Sequence, residues 1–300
     1  MDIVKKLDTA QKTVVALGNF DGLHKAHMAV LNNSVNEAHK RGVKSAVLQF
    51  SEHPQNIIKN RAISLITDSD SKMKLLDEAG VDIVFLKQFD EEFMALSPLE
   101  FVEFLVRELN PVALSVGYDY RFGYKAAGDI EILKILCQEK GIDIIVTDEV
   151  TENGIPVKST AIREYLTAGE IEKANAMLGR NFTLRGEVKK GFQNGRKIGF
   201  PTANVDVDEN IILPLEGVYT GYTTVEGVRH KSLVNVGMNP TVCGKEITVE
   251  SHILDFEGDI YGKVIEVEFC RRIRGEIKFA SLEDLKKQIQ LDLEKVRQCF

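Results

Sequence analysis

Two histidines three residues apart, His24 and His27, close the stretch Gly18-Asn19-Phe20-Asp21-Gly22-Leu23, which follows the β-branched run Thr13-Val14-Val15-Ala16-Leu17. A strand, a glycine turn and a helix start, in that order, offer an anion free backbone N–H groups and the positive end of a helix dipole, which is how phosphates are held. Histidines spaced by three in a first helical turn share a face. From there two imidazoles can donate to phosphate oxygens as charge develops in a phosphoryl-type transition state. Read alone, the same residues also fit a plain turn with two surface histidines. A metal at the pair needs a third ligand, and His39, His53, His230 and His252 show no spacing that supplies one.

Lys158-Ser159-Thr160-Ala161-Ile162-Arg163 opens another helix with two hydroxyls and an arginine, again phosphate chemistry. Taken alone it also fits an N-cap serine beside a solvated arginine. A third segment, Gly195-Arg196-Lys197-Ile198-Gly199-Phe200-Pro201-Thr202-Ala203-Asn204, lets a backbone approach a ligand closely at Gly199 and Pro201. Thr202 and Asn204 alternate along an extended chain and so point the same way. A hydroxyl and an amide carbonyl are hard oxygens suited to Mg²⁺ on ATP phosphates. The isolated tetrapeptide equally fits a proline turn with polar caps. Glu250 lies in the alternating run Thr248-Val249-Glu250-Ser251-His252, where a carboxylate serves either as a base in a site or as a solvated strand residue.

The elements that position these groups fall into two kinds. Strand-like runs at Thr13–Leu17, Lys44–Phe50, Asp82–Leu86, Val112–Val116 and Ile142–Thr147 alternate with helical spacings, including one opened by Ser97-Pro98-Leu99-Glu100. That alternation predicts a parallel sheet with helices on its faces. After Gly179 the apolar runs become short and rich in Val, Ile, Thr and Tyr: Gly217–Val225, Lys231–Val236, Ile247–Leu254 and Lys263–Phe269. They predict an antiparallel barrel or sandwich, closed by an amphipathic helix over Leu282–Val296. The expected boundary divides 1–180 from 181–300.

The 300 residues suit two domains, and the net charge of −7 with no basic stripe argues against a nucleic-acid partner. No apolar stretch is long enough to span a bilayer, and Met1-Asp2-Ile3-Val4-Lys5-Lys6 lacks the order of a signal peptide. The four cysteines, Cys137, Cys243, Cys270 and Cys299, form no C-x-x-C pair, so a reduced cytoplasmic setting is expected. Oligomeric state is not legible.

Together, Gly18-x-Phe20-Asp21-Gly22-x-His24-x-x-His27 and Ser159-Thr160-x-Ile162-Arg163 resemble the H-x-G-H nucleotidyltransferases. More narrowly, they are similar to the N-terminal module of the bacterial bifunctional riboflavin kinase/FMN adenylyltransferases. Phe50-Ser51-Glu52-His53-Pro54 and Gly117-Tyr118-Asp119-Tyr120-Arg121-Phe122-Gly123 resemble two further segments of that module. The Gly199-Phe200-Pro201-Thr202-Ala203-Asn204 run resembles the riboflavin kinase signature, with Gly217-Val218-Tyr219, Asn235-Val236-Gly237, Val249-Glu250-Ser251-His252 and Arg274-x-Glu276-x-Lys278-Phe279 following in order.

The resemblance implies a Rossmann-like α/β nucleotidyltransferase domain followed by a six-stranded antiparallel β-barrel kinase domain with a C-terminal helix. It implies catalytic roles for Glu250, His24 and His27. ATP would be bound by Gly18, Asn19, Phe20, Gly22, Ser159, Thr160 and Arg163 in the first domain, and by Gly199, Pro201, Thr202 and Asn204 in the second. Flavin contacts would come from His53, Asp119, Phe122 and Arg274, and Mg²⁺ with ATP from Thr202 and Asn204. Riboflavin, FMN and ATP are the implied substrates and flavins the products. Three departures touch the first domain: Ala26 for a glycine, Glu52 for a common proline, and Lys158 with Ala161 around Ser159-Thr160. They leave an alternative, a riboflavin kinase whose first domain is impaired or senses flavin nucleotides.

Overall fold

The computed structural model describes residues 1–6, 11–51, 64–191, 195, 198–241 and 244–298. Contacts divide the chain into two compact units, Met1–Ile63 with Ser69–Lys158, and Ser64–Asp68 with Ser159–Phe300.

The first unit contains, in chain order, β1 (Asp2–Val4), β2 (Thr13–Leu17), α1 (Lys25–Arg41), β3 (Lys44–Phe50), α2 (Ser69–Glu78), β4 (Ile83–Lys87), α3 (Glu91–Met94), α4 (Pro98–Leu109), β5 (Pro111–Gly117), α5 (Ile130–Gln138), β6 (Asp143–Thr147), β7 (Thr151–Glu152) and β8 (Ile155–Pro156). Strands β1 to β6 form one sheet in the order β1-β4-β3-β2-β5-β6, with each adjacent pair parallel. Its central strand is buried along its whole length, the unbroken apolar run that a strand covered on both faces requires. β2 lies between β3 and β5, so the winding direction reverses there. Ligands of open α/β sheets bind outside the strand carboxyl ends at such a point. Gly18 leaves β2 and Gly117 ends β5, which brings two of the sequence motifs to that crevice.

Helix α1 is fastened to the sheet by small polar groups that permit close packing. Ser34 Oγ donates to Val14 O at 3.1 Å and Ser115 Oγ to Val30 O at 2.8 Å. Asn33 Nδ2 reaches Thr147 Oγ1 at 2.9 Å. The expected capping box of α4 is present: Glu100 N–H donates to Ser97 Oγ, and Ser97 N–H to the Glu100 carboxylate at 2.8 Å.

The second unit contains α6 (Ser159–Ala168), α7 (Ile171–Leu178), β9 (Phe182–Lys189), β10 (Ala203–Val207), β11 (Gly217–Val225), β12 (Val228–Thr241), β13 (Gly244–Ile253), β14 (Val264–Arg274) and α8 (Leu282–Gln298). Its strands close into a barrel in the order β10-β13-β12-β11-β14-β9, all pairs antiparallel. Tyr219, Phe182 and Phe269 pack ring against ring in its core. Leu293 and Val296 of α8 pack on Val218, Leu233 and Leu254. The last strand outruns its expected end at Phe269 by continuing through Cys270-Arg271-Arg272-Ile273-Arg274. Pairing with Val218–Thr220 carries that basic stretch, which has no alternation of its own.

Helices α6 and α7 pack with the barrel, so the second packing unit takes in the chain from Ser159. Asn175 Nδ2 donates to Phe269 O at 2.8 Å and its Oδ1 accepts the Phe182 N–H at 2.7 Å. Leu215 N–H donates to Leu166 O at 2.9 Å, and Ile171, Ala174, Met177 and Leu178 are buried. A fragment starting at Ser159 is therefore expected to melt higher than one starting at Asn181. The difference amounts to several side chains at roughly 1.5–3 kcal/mol each. Thermal melts of the two fragments check this, and equal midpoints would remove α6 and α7 from the folding unit of the barrel.

Candidate active sites

The turn after β2 is built from unusual backbone. Phe20, Gly22 and Leu23 have φ of 50°, 88° and 37°. For Phe20 and Leu23 this is the left-handed region that side chains disfavour. Both side chains are buried in the core, which holds the turn in that shape. Gly18 leaves room for the Phe20 ring, since a Cβ there would sit 3.1 Å from its edge. The chain then enters α1 with His24 as N-cap, its Nδ1 accepting the His27 N–H at 3.3 Å. An Nδ1 that accepts puts the proton of the neutral ring on Nε2, where it is a donor. The two rings stack with centroids 3.6 Å apart and an interplanar angle of 13°, and Phe20 meets His27 edge-on at 5.3 Å. The sequence spacing thus becomes a rigid imidazole pair at a helix N-terminus. Ala26 lies inside the first helical turn and is absent from the residues with positive φ, so the backbone there does not demand glycine.

Across the same crevice, the loop after β5 carries Asp119, exposed, and Phe122, buried. Phe122 packs on Phe101 at 5.3 Å and on Tyr120 at 5.8 Å, and Gly128 is small enough to pass beneath it. It is a buried residue whose ring shapes the loop. Burial pushes the Tyr120 hydroxyl well above its ordinary range. Lys158 makes an ion pair with Asp119 at 2.9 Å and lies over the Tyr118 ring. That hydrogen bond is the main cause that raises the Lys158 pKa. Lys25, at the start of α1, pairs with Glu152 at 2.6 Å. Ser159, Thr160 and Arg163 open α6 in the second unit, where Arg163 Nε donates to Ser64 O at 2.9 Å. His53 and Glu52 lie outside the described residues.

In the barrel, Thr202 Oγ1 donates to Glu250 Oε2 at 2.9 Å. Asn204 is the direct cross-strand partner of Glu250, which also faces Asn235 on β12. Ala203 and Val205 are buried, so Thr202 and Asn204 take the other side of the chain, as their alternation predicts. The backbone at Gly191 runs close over Asn204; a Cβ there would fall 2.6 Å from Nδ2. His252 Nδ1 lies 2.7 Å from Pro201 O and steadies the turn. Thr202 and Asn204 line a cavity of about 460 Å³ together with Phe256, Asp259 and Tyr261. The loop bearing those last three carries only turn signals in the sequence, so its part in the site was not legible. Arg274 is held by Asp292 of α8 at 2.8 Å and by Gly275 O at 3.0 Å. Asp292 is fully buried and also accepts from Gln288.

A parallel α/β unit with a glycine turn at its switch point, followed by a closed barrel that gathers a hydroxyl, an amide and a carboxylate, is the architecture of a two-part transferase. The FAD synthetase family matches residues 6–161 and the riboflavin kinase family residues 178–300. A bifunctional riboflavin kinase/FMN adenylyltransferase of Escherichia coli K12 is 38% identical over 96% of this chain and 92% of its own. One from Haemophilus influenzae is 34% identical over 100% and 99%. A solved structure from Streptococcus pneumoniae, described as a macrolide-efflux protein, shares the fold with a TM-score of 0.90 and 30% identity over 98% of both chains. Among the described residues no helix is long and apolar enough to cross a membrane. The chain belongs to the bifunctional riboflavin kinase/FMN adenylyltransferase family.

Proposed function

We propose that the barrel transfers the γ-phosphoryl group of ATP to the ribityl 5′-hydroxyl of riboflavin, and that the α/β unit joins AMP from a second ATP to the resulting FMN. In the first step the hydroxyl oxygen forms a bond to phosphorus, its proton goes to Glu250, and ADP leaves. In the second an oxygen of the FMN phosphate attacks the α-phosphorus, and pyrophosphate leaves with the bonding electrons. Neither step needs a covalent enzyme intermediate; both rest on positioning and charge stabilisation. The contact between Thr202 and Glu250, with Asn204 opposite, carries the kinase assignment. The stacked His24–His27 pair at the crevice carries the other.

Thr202, just before β10, and Asn204 within it present hard oxygens on one side of the chain, a set that fits Mg²⁺ bound chiefly through substrate phosphates. When bound, the ion neutralises phosphate charge. Gly18, Asn19 and Gly22 contribute backbone at the first site, and Gly199 and Pro201 at the second. Ser159, Thr160 and Arg163 are proposed ATP contacts on their motif, and Asp119, Phe122, Arg274 and His53 flavin contacts on theirs. The impaired or sensing alternative is not favoured, since both family matches are present and the relatives are bifunctional over nearly the full chain. The proposed functional boundary lies near 180, with α6 and α7 belonging to the packing unit of the barrel. A cytoplasmic setting suits Cys137, a buried thiol that burial pushes up to about 11.

Incubating the protein with riboflavin and MgATP and separating the products by chromatography tests both steps. FMN followed by FAD is the expected result. FMN alone would return the first domain to the alternative reading.

A further inference from the structure

Lys72, in the first turn of α2, approaches the nucleotide turn from the side of β3. Its Nζ donates to Asn19 O at 3.2 Å and to Gln49 Oε1 at 3.4 Å. Gln49, nearly fully buried at the end of β3, donates in turn to Gly18 O at 3.3 Å and to Leu48 O at 2.9 Å. Two successive carbonyls of the turn, Gly18 and Asn19, are thus each engaged by this pair.

The charge on Lys72 is less readily explained by the fold. Lys25 and Lys158, two lysines beside the crevice loops, are each neutralised by a carboxylate at 2.6 and 2.9 Å. Lys72 instead contacts neutral oxygens and leaves one of its three N–H groups unassigned. Burial is the main influence on it and pushes its pKa below the ordinary lysine range. Asp21 of the turn opposes that shift and is the carboxylate that acts on it among the described residues. A partly desolvated ammonium is costly unless an anion completes its environment, and this one lies against the turn that the chain uses for phosphate.

We infer that Lys72 is a phosphate ligand of the AMP-transfer reaction, completing its hydrogen bonds on the phosphate chain of ATP and stabilising the charge that gathers on departing pyrophosphate. The inference rests on the reading of residues 18–27 as the AMP-transfer site. Lys72 gives up no proton: the new bond joins the FMN phosphate oxygen to the α-phosphorus, the bond to the bridging oxygen breaks, and pyrophosphate takes the electron pair. The residue type and position leave no trace in sequence pattern, because Ser69-Asp70-Ser71-Lys72 reads as an ordinary solvated helix start.

The test uses the full-length protein with Lys72→Met, Lys72→Arg and His24→Asn, assayed for FAD formation from supplied FMN and for FMN formation from riboflavin. Lys72→Met is expected to lower kcat/KM for ATP in AMP transfer by about 10²-fold, the scale of losing one charged donor in a water-poor site, with the kinase rate and melting temperature unchanged. Lys72→Arg should recover much of the loss. It should also move the alkaline limb of the pH profile upward, because raising pH removes the Lys72 charge but not that of arginine. AMP transfer within threefold of wild type in Lys72→Met overturns the inference. So does a loss that arginine does not relieve, or an alkaline limb unmoved by Lys72→Arg. If His24→Asn loses activity while Lys72→Met does not, the site stands and Lys72 is dismissed. If neither loses activity, the site itself is elsewhere.

Discussion

Glu250→Gln is expected to abolish FMN formation almost completely while FAD formation from supplied FMN continues. The amide keeps the size of the carboxylate, and its carbonyl oxygen can still accept the Thr202 hydroxyl that now donates to Oε2 at 2.9 Å. The pairing of β13 with β10 and β12 is made by backbone and is unaffected. What disappears is the ability to take a proton from the attacking hydroxyl, and a positioned general base contributes about 10²–10⁴-fold. A fall in that range with an unchanged melting temperature assigns the role. Loss of both activities would make Glu250 a structural residue, and loss of neither would place the base elsewhere. Thr202→Ala serves as a companion: it leaves the carboxylate in place but removes its neighbour, so a loss smaller than that of Glu250→Gln is expected.

The two sites differ in how far they could be read from the chain. The His24–His27 spacing predicts a shared face, and the structure turns it into a stacked pair because His24 is the N-cap and its ring folds back on the helix. The alternation of Thr202 and Asn204 predicts a common side, and the extended chain entering β10 supplies it, with Ala203 between them buried. Both readings rest on contacts between near neighbours in sequence. Contacts across the sheet left no such signal. Gln49 and Lys72 meet the turn after β2 only because β3 lies beside β2 in a parallel sheet, an adjacency that local pattern does not encode. The burial of Phe122 has no local signal either. An aromatic in a loop between glycines looks available to a ligand, but Gly128 opens the space that lets its ring turn into the core. Arg274 shows a third case: its partner, Asp292, comes from a helix beyond the next loop and is buried beneath it.

His24→Asn separates the chemical role of the histidine pair from its structural one. His24 is 4% exposed and caps α1, so replacement by alanine would remove both the cap, worth about 1 kcal/mol, and the ring. Asparagine is among the best N-caps, and its side-chain oxygen can take the His27 N–H as Nδ1 now does at 3.3 Å. The helix start is therefore retained, while the Nε2 donor and the ring that stacks on His27 are lost. If His24 donates to phosphate oxygens as the α-phosphorus is attacked, FAD formation from FMN should fall by about 10²–10³-fold, the loss typical of removing one preorganised donor to developing charge. The barrel carries none of these groups, so FMN formation should keep its wild-type rate. His24→Ala should show the same chemical loss together with a lower melting temperature, and the comparison tells the two contributions apart. An asparagine variant that still makes FAD at near the wild-type rate would reduce the pair to a helix cap with a packed ring, and would move the search for the charge-stabilising groups to the backbone of the Gly18–Leu23 turn.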